Sequence, residues 1–277
     1  MDDKGLTRLD CKVEVICIGN ELLTGKTLNT NAHWLSERIT RLGGEVERIT
    51  TVGDRLNTIV DVLRESLRRK PNLVITCGGL GPTYDDKTLQ AFSQAFRKPL
   101  KINKEALRMV KSRYEKILGK NRLELTPPRL KMATLPSGSK PIKNPVGTAP
   151  AVSLTVKGVK FIILPGVPEE LKAIFEESIA GKLREMVGRV YLHEETLPVS
   201  GLLESQVAPM LDIVVNKYPD VYVKSHVRVG EGRSGGSIEL HFSSRSSSAR
   251  NAKRKVSKAV TLMSKLLKGE SVGKDGL

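Results

Sequence analysis

Three short apolar runs punctuate the first two thirds of the chain: KVEVICIG at 12–19, NLVITCGG at 72–79 and VKFIILPG at 159–166. Each is rich in β-branched residues, continuous rather than alternating, and closed by glycine. That pattern predicts strands buried on both faces of a parallel sheet. Between the runs the period becomes helical. In TNAHWLSERITRL (30–42), Trp34, Leu35, Ile39 and Leu42 share one face. In RLNTIVDVLRESLRR (55–69), Leu56, Ile59, Val60, Leu63 and Leu67 do the same, with Asp54 as the expected N-cap. A strand over 45–52 separates these helices. Residues 85–118 read as helical with a break at Pro99, the helix beginning near Asp85. The segment 126–150 is dense in Pro and Gly and predicts irregular structure with short edge strands. AVSLTVKGVKFIIL predicts a hairpin turning at Lys157–Gly158, and PEELKAIFEESI a helix with Pro168 in its first turn. Alternating strands and helices of this kind predict an α/β fold with a mainly parallel sheet.

After about residue 187 the order changes. A strand over 189–196, a helix over 201–217, strands over 221–228 and 236–243 and a helix over 246–268 give β-α-β-β-α, a small α+β domain. In the last helix Ala249, Ala252, Val256, Val260, Met263 and Leu267 keep helical spacing, and Ser246 to Ser248 offer caps. With 277 residues there is room for two modest domains, expected over 12–182 and 188–270.

Composition narrows the partners. A net charge of +16 favours anionic ones, although the charge is spread along the chain rather than gathered on one segment. Aromatic residues are 4% of the chain, few for a surface that stacks exposed bases. The densest basic stretch, RSSSARNAKRKVSK at 245–258, has six basic residues and no acid, and GRSG at 232–235 matches the Gly-x-x-Gly of RNA-binding modules. That loop is expected between two strands rather than two helices, so it reads as a hairpin tip beside a solvated basic face; nucleic-acid binding through this basic tail is kept as the lesser alternative. The three cysteines, Cys11, Cys17 and Cys77, have no paired spacing, which argues against a disulfide framework; Cys17 and Cys77 sit in apolar runs as small hydrophobes. The first residues lack an apolar core and no run of about 18 apolar residues occurs. The expectation is a cytoplasmic protein with no membrane partner.

Chemistry concentrates where the strong strands end, the place open α/β sheets bind ligands. The first strand runs into GNELLTGKTLNTN, with Gly19, Asn20, Glu21, Thr24, Gly25 and Asn29. The second runs into GGLGPTYDD, with Gly78, Gly79, Gly81, Thr83, Asp85 and Asp86. The third runs into PGVPEE, with Gly166 and Glu170; KNPVGTAP, with Asn144, Gly147 and Thr148, has the same character. Glycines leave backbone N–H groups open to an anion. Two adjacent carboxylates at the end of such a loop admit two readings. They cap the following helix, or they hold a divalent cation whose other face takes phosphate oxygens. No Walker sequence is present, and no G-x-G-x-x-G opens a helix after the first strand.

Together GNELLTGKTLNTNAHWL, TCGGLGPTYDD, NPVGTAP and LPGVPEEL resemble the competence/damage-inducible protein A (CinA) family over roughly residues 12–180. The resemblance implies a three-layer α/β domain of the molybdopterin-binding, MogA/gephyrin-like type, followed by a small KH-type tail. It implies that Asp85, Asp86 and Glu21 are catalytic and that Asp85 and Asp86 hold the metal. The ligand-binding positions it implies are Gly19, Asn20, Thr24, Gly25, Asn29, Gly78, Gly79, Gly81, Thr83, Asn144, Gly147, Thr148, Gly166 and Glu170. The chain departs from the family pattern at Asn20, where Thr is usual, and at Val167, which replaces one of two prolines. The activity implied is metal-dependent hydrolysis of a nucleotide diphosphate such as ADP-ribose, with Mg or a transition metal such as Co, with or without K, in a homo-oligomer. The alternative is a module that binds a nucleotide or pterin phosphate without cleaving it. The family's nicotinamide mononucleotide deamidase domain would begin where this chain ends, so that activity is expected to be absent.

Overall fold

A computed structural model describes residues 11–119, 124–228 and 237–269. The chain divides into two compact units, Asp10–Met186 and one that takes in Val187–Leu277.

The first unit is built on a six-stranded sheet. β1 (Lys12–Ile18), β2 (Glu45–Val52), β3 (Leu73–Cys77) and β8 (Val159–Leu164) run parallel in the order β2-β1-β3-β8. Two antiparallel strands, β7 (Ala151–Val156) and β6 (Lys140–Ile142), complete it beyond β8. The apolar runs occupy the middle: all of β3 is buried, as is β1 apart from Lys12. The edge strand β2 is mostly exposed or half-buried. The turn between β7 and β8 places Lys157 and Gly158 both at positive φ, +47° and +85°, as a two-residue hairpin loop requires.

Helices cover both faces. α3 (Leu56–Arg69), α4 (Thr88–Phe96) and α5 (Lys104–Leu118) bury Ile59, Leu63, Phe92 and Val110 against Ile16, Val74 and Phe161 of the sheet. On the other face α2 (Thr30–Arg41), which follows the single turn α1 (Asn20–Leu23), meets α7 (Pro168–Ile174) and the π-helical turn Phe175–Ile179 that follows it. There Trp34 sets its edge against Phe175 at 5.4 Å, and Arg38 pairs with Glu176 through both guanidinium branches. The chain continues into α8 (Ala180–Val187). The three-layer α/β architecture expected from the sequence is therefore present. At the end of the sheet away from the strand-end loops, the buried carboxylate of Glu14 on β1 accepts two hydrogen bonds from Arg69 of α3, at 2.6 and 2.7 Å.

Three local expectations are corrected. The helical stretch expected over 85–118, broken at Pro99, resolves into α4 starting at Thr88 rather than near Asp85, a strand β4 (Leu100–Ile102), and α5. Pro99 does not merely break a helix; the residues after it pair with β5 (Thr134–Pro136), which follows the short helix α6 (Pro127–Met132). Asp54 does not cap α3, whose N-cap is Arg55 with no side-chain hydrogen bond. Asp54 instead accepts from the backbone N–H of Asn20 at 2.9 Å.

The second unit has a three-stranded antiparallel sheet in the order β10 (Tyr222–Arg228), β11 (Ser237–Ser246), β9 (Tyr191–Val199). Helices α9 (Glu204–Lys217) and α10 (Ala249–Leu267) pack on it, giving the expected β-α-β-β-α order. β11 alternates, burying Ile238, Leu240 and Phe242 against Val207, Val256, Ala259 and Met263. Ala249, expected on the buried face of α10, is exposed, and Ala259 and Leu262 are buried in addition. The Gly-Arg-Ser-Gly stretch at 232–235 lies outside the described residues. No helix among the described residues is long and apolar enough to cross a membrane.

Candidate functional site

The strand order changes direction at β1: β2 lies to one side of it and β3 to the other. A crevice opens at the carboxyl ends of strands where order reverses in this way. Into it run the loops after β1, β3 and β8, and side-chain and backbone contacts tie them to one another.

The loop after β1 begins with Gly19, whose N–H donates to Val52 O at 3.0 Å and so extends the sheet. Asn20 and Asp54 exchange hydrogen bonds, each side chain accepting from the other's backbone N–H, at 2.9 and 3.3 Å. The Asn that departs from the family pattern is therefore engaged with the β2–α3 loop. Asn29 caps α2 by accepting from Ala32 N at 3.0 Å, and Thr24 Oγ1 donates to Glu21 O at 3.3 Å. Glu21 is exposed.

The loop after β3 opens with two glycines that only glycine can fill. Gly78 has φ +107°, and a Cβ there would lie 2.1 Å from Ile18 O. Its N–H donates to Leu164 O at 3.1 Å, so Gly78 belongs to the sheet and offers no donor to an anion. Thr88, which sequence reasoning passed over, anchors the loop from beneath: it is fully buried and its Oγ1 donates to Gly78 O at 2.8 Å. Among the described residues the N–H groups of Gly79 and Gly81 donate to nothing, which leaves them for a ligand.

Asp85 and Asp86 do not cap α4, whose N-cap is Lys87. They converge instead on Thr83. Thr83 Oγ1 lies 2.5 Å from Asp85 Oδ1 and 2.6 Å from Asp86 Oδ2, and Thr83 N donates to Asp86 Oδ2 at 2.9 Å. The hydrogen bond from Thr83, with smaller contributions from a backbone N–H and the nearby charges of Lys131 and Lys87, holds the Asp85 carboxyl below the usual aspartate range. Lys131 of α6 also donates its Nζ to Thr83 O.

A recurring device is a carboxylate lying in the space that a glycine leaves. A Cβ on Gly19 would fall 2.3 Å from Glu21 Oε1, one on Gly81 2.6 Å from Asp86 Oδ2, and one on Gly147 2.1 Å from Glu170 Oε2. In all three loops the glycine makes room for an acid of the chain itself. Bare backbone is only part of its purpose.

Asn144 is a positioning residue, not a free donor. It is buried; its Oδ1 accepts from Val146 N and Gly147 N at 3.1 and 2.7 Å, and its Nδ2 donates to Ala149 O and Glu170 Oε2 at 2.9 and 2.6 Å. Thr148 Oγ1 faces Met132 Sδ at 3.8 Å. Gly166 approaches Gly78, where a Cβ would meet Gly78 Cα at 3.4 Å, and its carbonyl accepts from Asn31 Nδ2 at 2.7 Å. Asn31 is a second residue that sequence reasoning missed; its Oδ1 is buried with no partner. Its only sequence signal is its place in the Asn/Thr run after the first loop.

Below the crevice Cys17 and Cys77 face each other across β1 and β3, with Sγ atoms 3.4 Å apart. Cys77 donates to Cys17, and this bond together with burial pushes the Cys77 thiol up. Both thiols are buried and reduced, in line with their reading as small hydrophobes.

These loops form a candidate ligand site at the switch point of an α/β sheet, with an acid pair at one side and open backbone donors beside it. Residues 14–185 match the family described as "Probable molybdopterin binding domain". The crystal structure of CinA from Thermoplasma acidophilum, described as a protein of unknown function, is 41% identical, with a TM-score of 0.57 over 62% of this chain and 98% of that one. A protein of Aeropyrum pernix is 45% identical over 78% of this chain and 79% of its own length. One of Sulfurisphaera tokodaii is 38% identical over 89% and 91% respectively. The chain belongs to the molybdopterin-binding domain family, and its first unit is CinA-like.

Proposed function

We propose that the loop cluster binds a nucleoside diphosphate of the ADP-ribose type and, with a divalent metal on the acid pair, hydrolyses its pyrophosphate. The observation that carries this reading is one threonine hydroxyl shared by two carboxylates. Thr83 has a single hydroxyl proton, yet its Oγ1 lies 2.5 and 2.6 Å from Asp85 and Asp86. One carboxylate therefore faces a lone pair, an arrangement that a cation relieves.

The donors are all hard oxygens, which fits magnesium better than a soft metal. No cluster of three or more His, Cys, Asp or Glu that could hold a metal occurs among the described residues. The two aspartates would thus be completed by water and by the ligand's own phosphate oxygens, the way magnesium is usually held with nucleotides. A cation so bound supplies Lewis-acid polarisation of a phosphoryl oxygen and acidifies water. The chain's own groups do the rest. The N–H groups of Gly79 and Gly81 take phosphate oxygens, Lys131 offsets developing charge, and Glu21 accepts a proton from water.

The test is incubation of the purified protein with ADP-ribose and magnesium or cobalt, with separation of the products. AMP and ribose 5-phosphate are expected in equal amounts. Asp86→Asn should lower the rate by about a hundredfold or more while leaving the circular dichroism unchanged. Absence of AMP with every metal would sink the hydrolase reading. The family's description favours a second reading, in which the same loops hold a pterin phosphate without cleaving it. Tight pterin-phosphate binding with no turnover would select it. The 232–235 loop contributes to neither reading.

A further inference from the structure

One face of α5 and the Asn144–Thr148 loop enclose a cleft of about 460 Å³, within the size range of small-molecule sites. Nothing in the acid-pair reading uses it. On α5, positions 105, 108, 109, 112, 113 and 116 fall on one helical stripe and line the cleft. Three of them carry or help to carry a positive wall: Arg108, Arg113 and Lys116. Lys143, which precedes the Asn144–Thr148 loop, adds a fourth cation. The carboxylates lining it are Glu105 and Glu177, so the wall has four positive and two negative groups, a net of +2. Among the described residues none of the four cations is in an ion pair. Arg113 donates from Nη2 to Val146 O, while its Nε is buried without a partner. A buried guanidinium N–H left unmatched is costly and marks a place where an acceptor is missing.

We propose that this cleft is a phosphate-accepting site that binds the phosphorylated end of a small ligand without needing a metal. Arginine forks match phosphate oxygens in pairs, and Lys116 and Lys143 supply point charges. Met109, Pro145 and Pro150 give the cleft an apolar side for the body of the ligand, which points to a phosphate monoester such as a nucleoside monophosphate. Gly147 and Thr148 line the same cleft, and Asn144, which also lines it, holds Glu170. A ligand here would therefore press on the loop that the site described above also uses. The inference deepens the nucleotide reading by locating a phosphorylated end, but its test needs no turnover.

The experiment is calorimetric titration of the whole chain with inorganic phosphate, pyrophosphate and AMP, in EDTA and at constant ionic strength. AMP is expected to bind in the absence of metal. The double variant Arg108→Gln/Lys143→Gln, both at exposed positions, should weaken it by about tenfold or more. Arg64→Gln, on the exposed side of α3, should not change it. No binding of any of the three anions overturns the proposal. So does equal weakening by Arg64→Gln, which would mark a diffuse charge effect, or undiminished binding in a well-folded double variant. Loss of ADP-ribose hydrolysis with AMP binding intact would sink the hydrolase reading alone, and the reverse result would sink only this one.

Discussion

Glycine serves three distinct ends in these loops, and they respond differently to substitution. At Gly78 the backbone sits at φ +107° and the missing Cβ is occupied by Ile18 O at 2.1 Å, so both conformation and space forbid a side chain. At Gly25 φ is +71° but nothing lies within 4 Å. Gly25→Ala should cost about 1 kcal/mol, the strain of a left-handed residue, while Gly78→Ala should cost at least about 2 kcal/mol more because strand β1 must give way. Urea unfolding of the two variants checks this; equal costs would show that the Gly78 contact relaxes freely. The glycines at 19, 81 and 147 are a third case, since each makes room for a carboxylate of its own site. That pairing was not visible in the sequence. Gly81 and Asp86 are five residues apart, Gly147 is on a loop and Glu170 in the first turn of α7, and only folding brings each acid over its glycine.

Among the elements, β1 and α3 are joined by an unusual bond for a sheet interior. Glu14 is 1% exposed and, among the described residues, its one charge partner is Arg69, held in a two-pronged contact. Removing the guanidinium strands a buried carboxylate. Arg69→Met should therefore cost about 3 kcal/mol, and Glu14→Leu/Arg69→Met should recover most of the loss, because an apolar pair replaces a desolvated ionic one at little net cost. Thermal or urea unfolding decides; a double variant as unstable as the single would show that the pair itself, not the orphaned charge, holds the two elements together. Element type was largely legible. The runs at 12–19, 72–79 and 159–166 became buried strands because continuous apolar residues fit only a sheet covered on both faces. Helix starts were less legible. Both Asp54 and Asp85 carry the chemistry of an N-cap, yet Asp54 is recruited by the loop after β1 through Asn20 and Asp85 by Thr83 of its own loop, and the helices begin two and three residues later without them.

For the molecule as a whole, the boundary between the units falls at Met186–Val187, at the end of α8. The first unit contains the entire six-stranded sheet, both helical layers and every loop of the candidate site. Its CinA counterpart of Thermoplasma acidophilum is matched over 98% of its length by only 62% of this chain. A fragment of residues 10–187 is expected to unfold in one cooperative transition and to keep AMP binding within about threefold of the whole chain. Non-cooperative melting would show that the first unit does not fold by itself, and loss of binding in a cooperatively folded fragment would overturn the placement of the cleft on this unit alone. The net charge of +16 does not itself identify a partner. What narrows it is placement, since four of the cations meet at one cleft on the first unit.

By itself the sequence determined the fold class, the parallel sheet and the four loops that carry polar and glycine residues, because those depend on periodicity and on local backbone chemistry. Only the tertiary structure decided which groups within those loops stay open. Gly19 and Gly78 are spent extending the sheet, Asn144 is consumed by its own loop, and Asp85 and Asp86 turn toward Thr83 instead of a helix end. Likewise the cations of α5 lie dozens of residues from the loop they face and became a cleft only when the helix packed beside it. Hydrogen-bond donors and acceptors are short-ranged and saturable, so which of them a ligand can still reach is settled by three-dimensional neighbours that linear spacing does not encode.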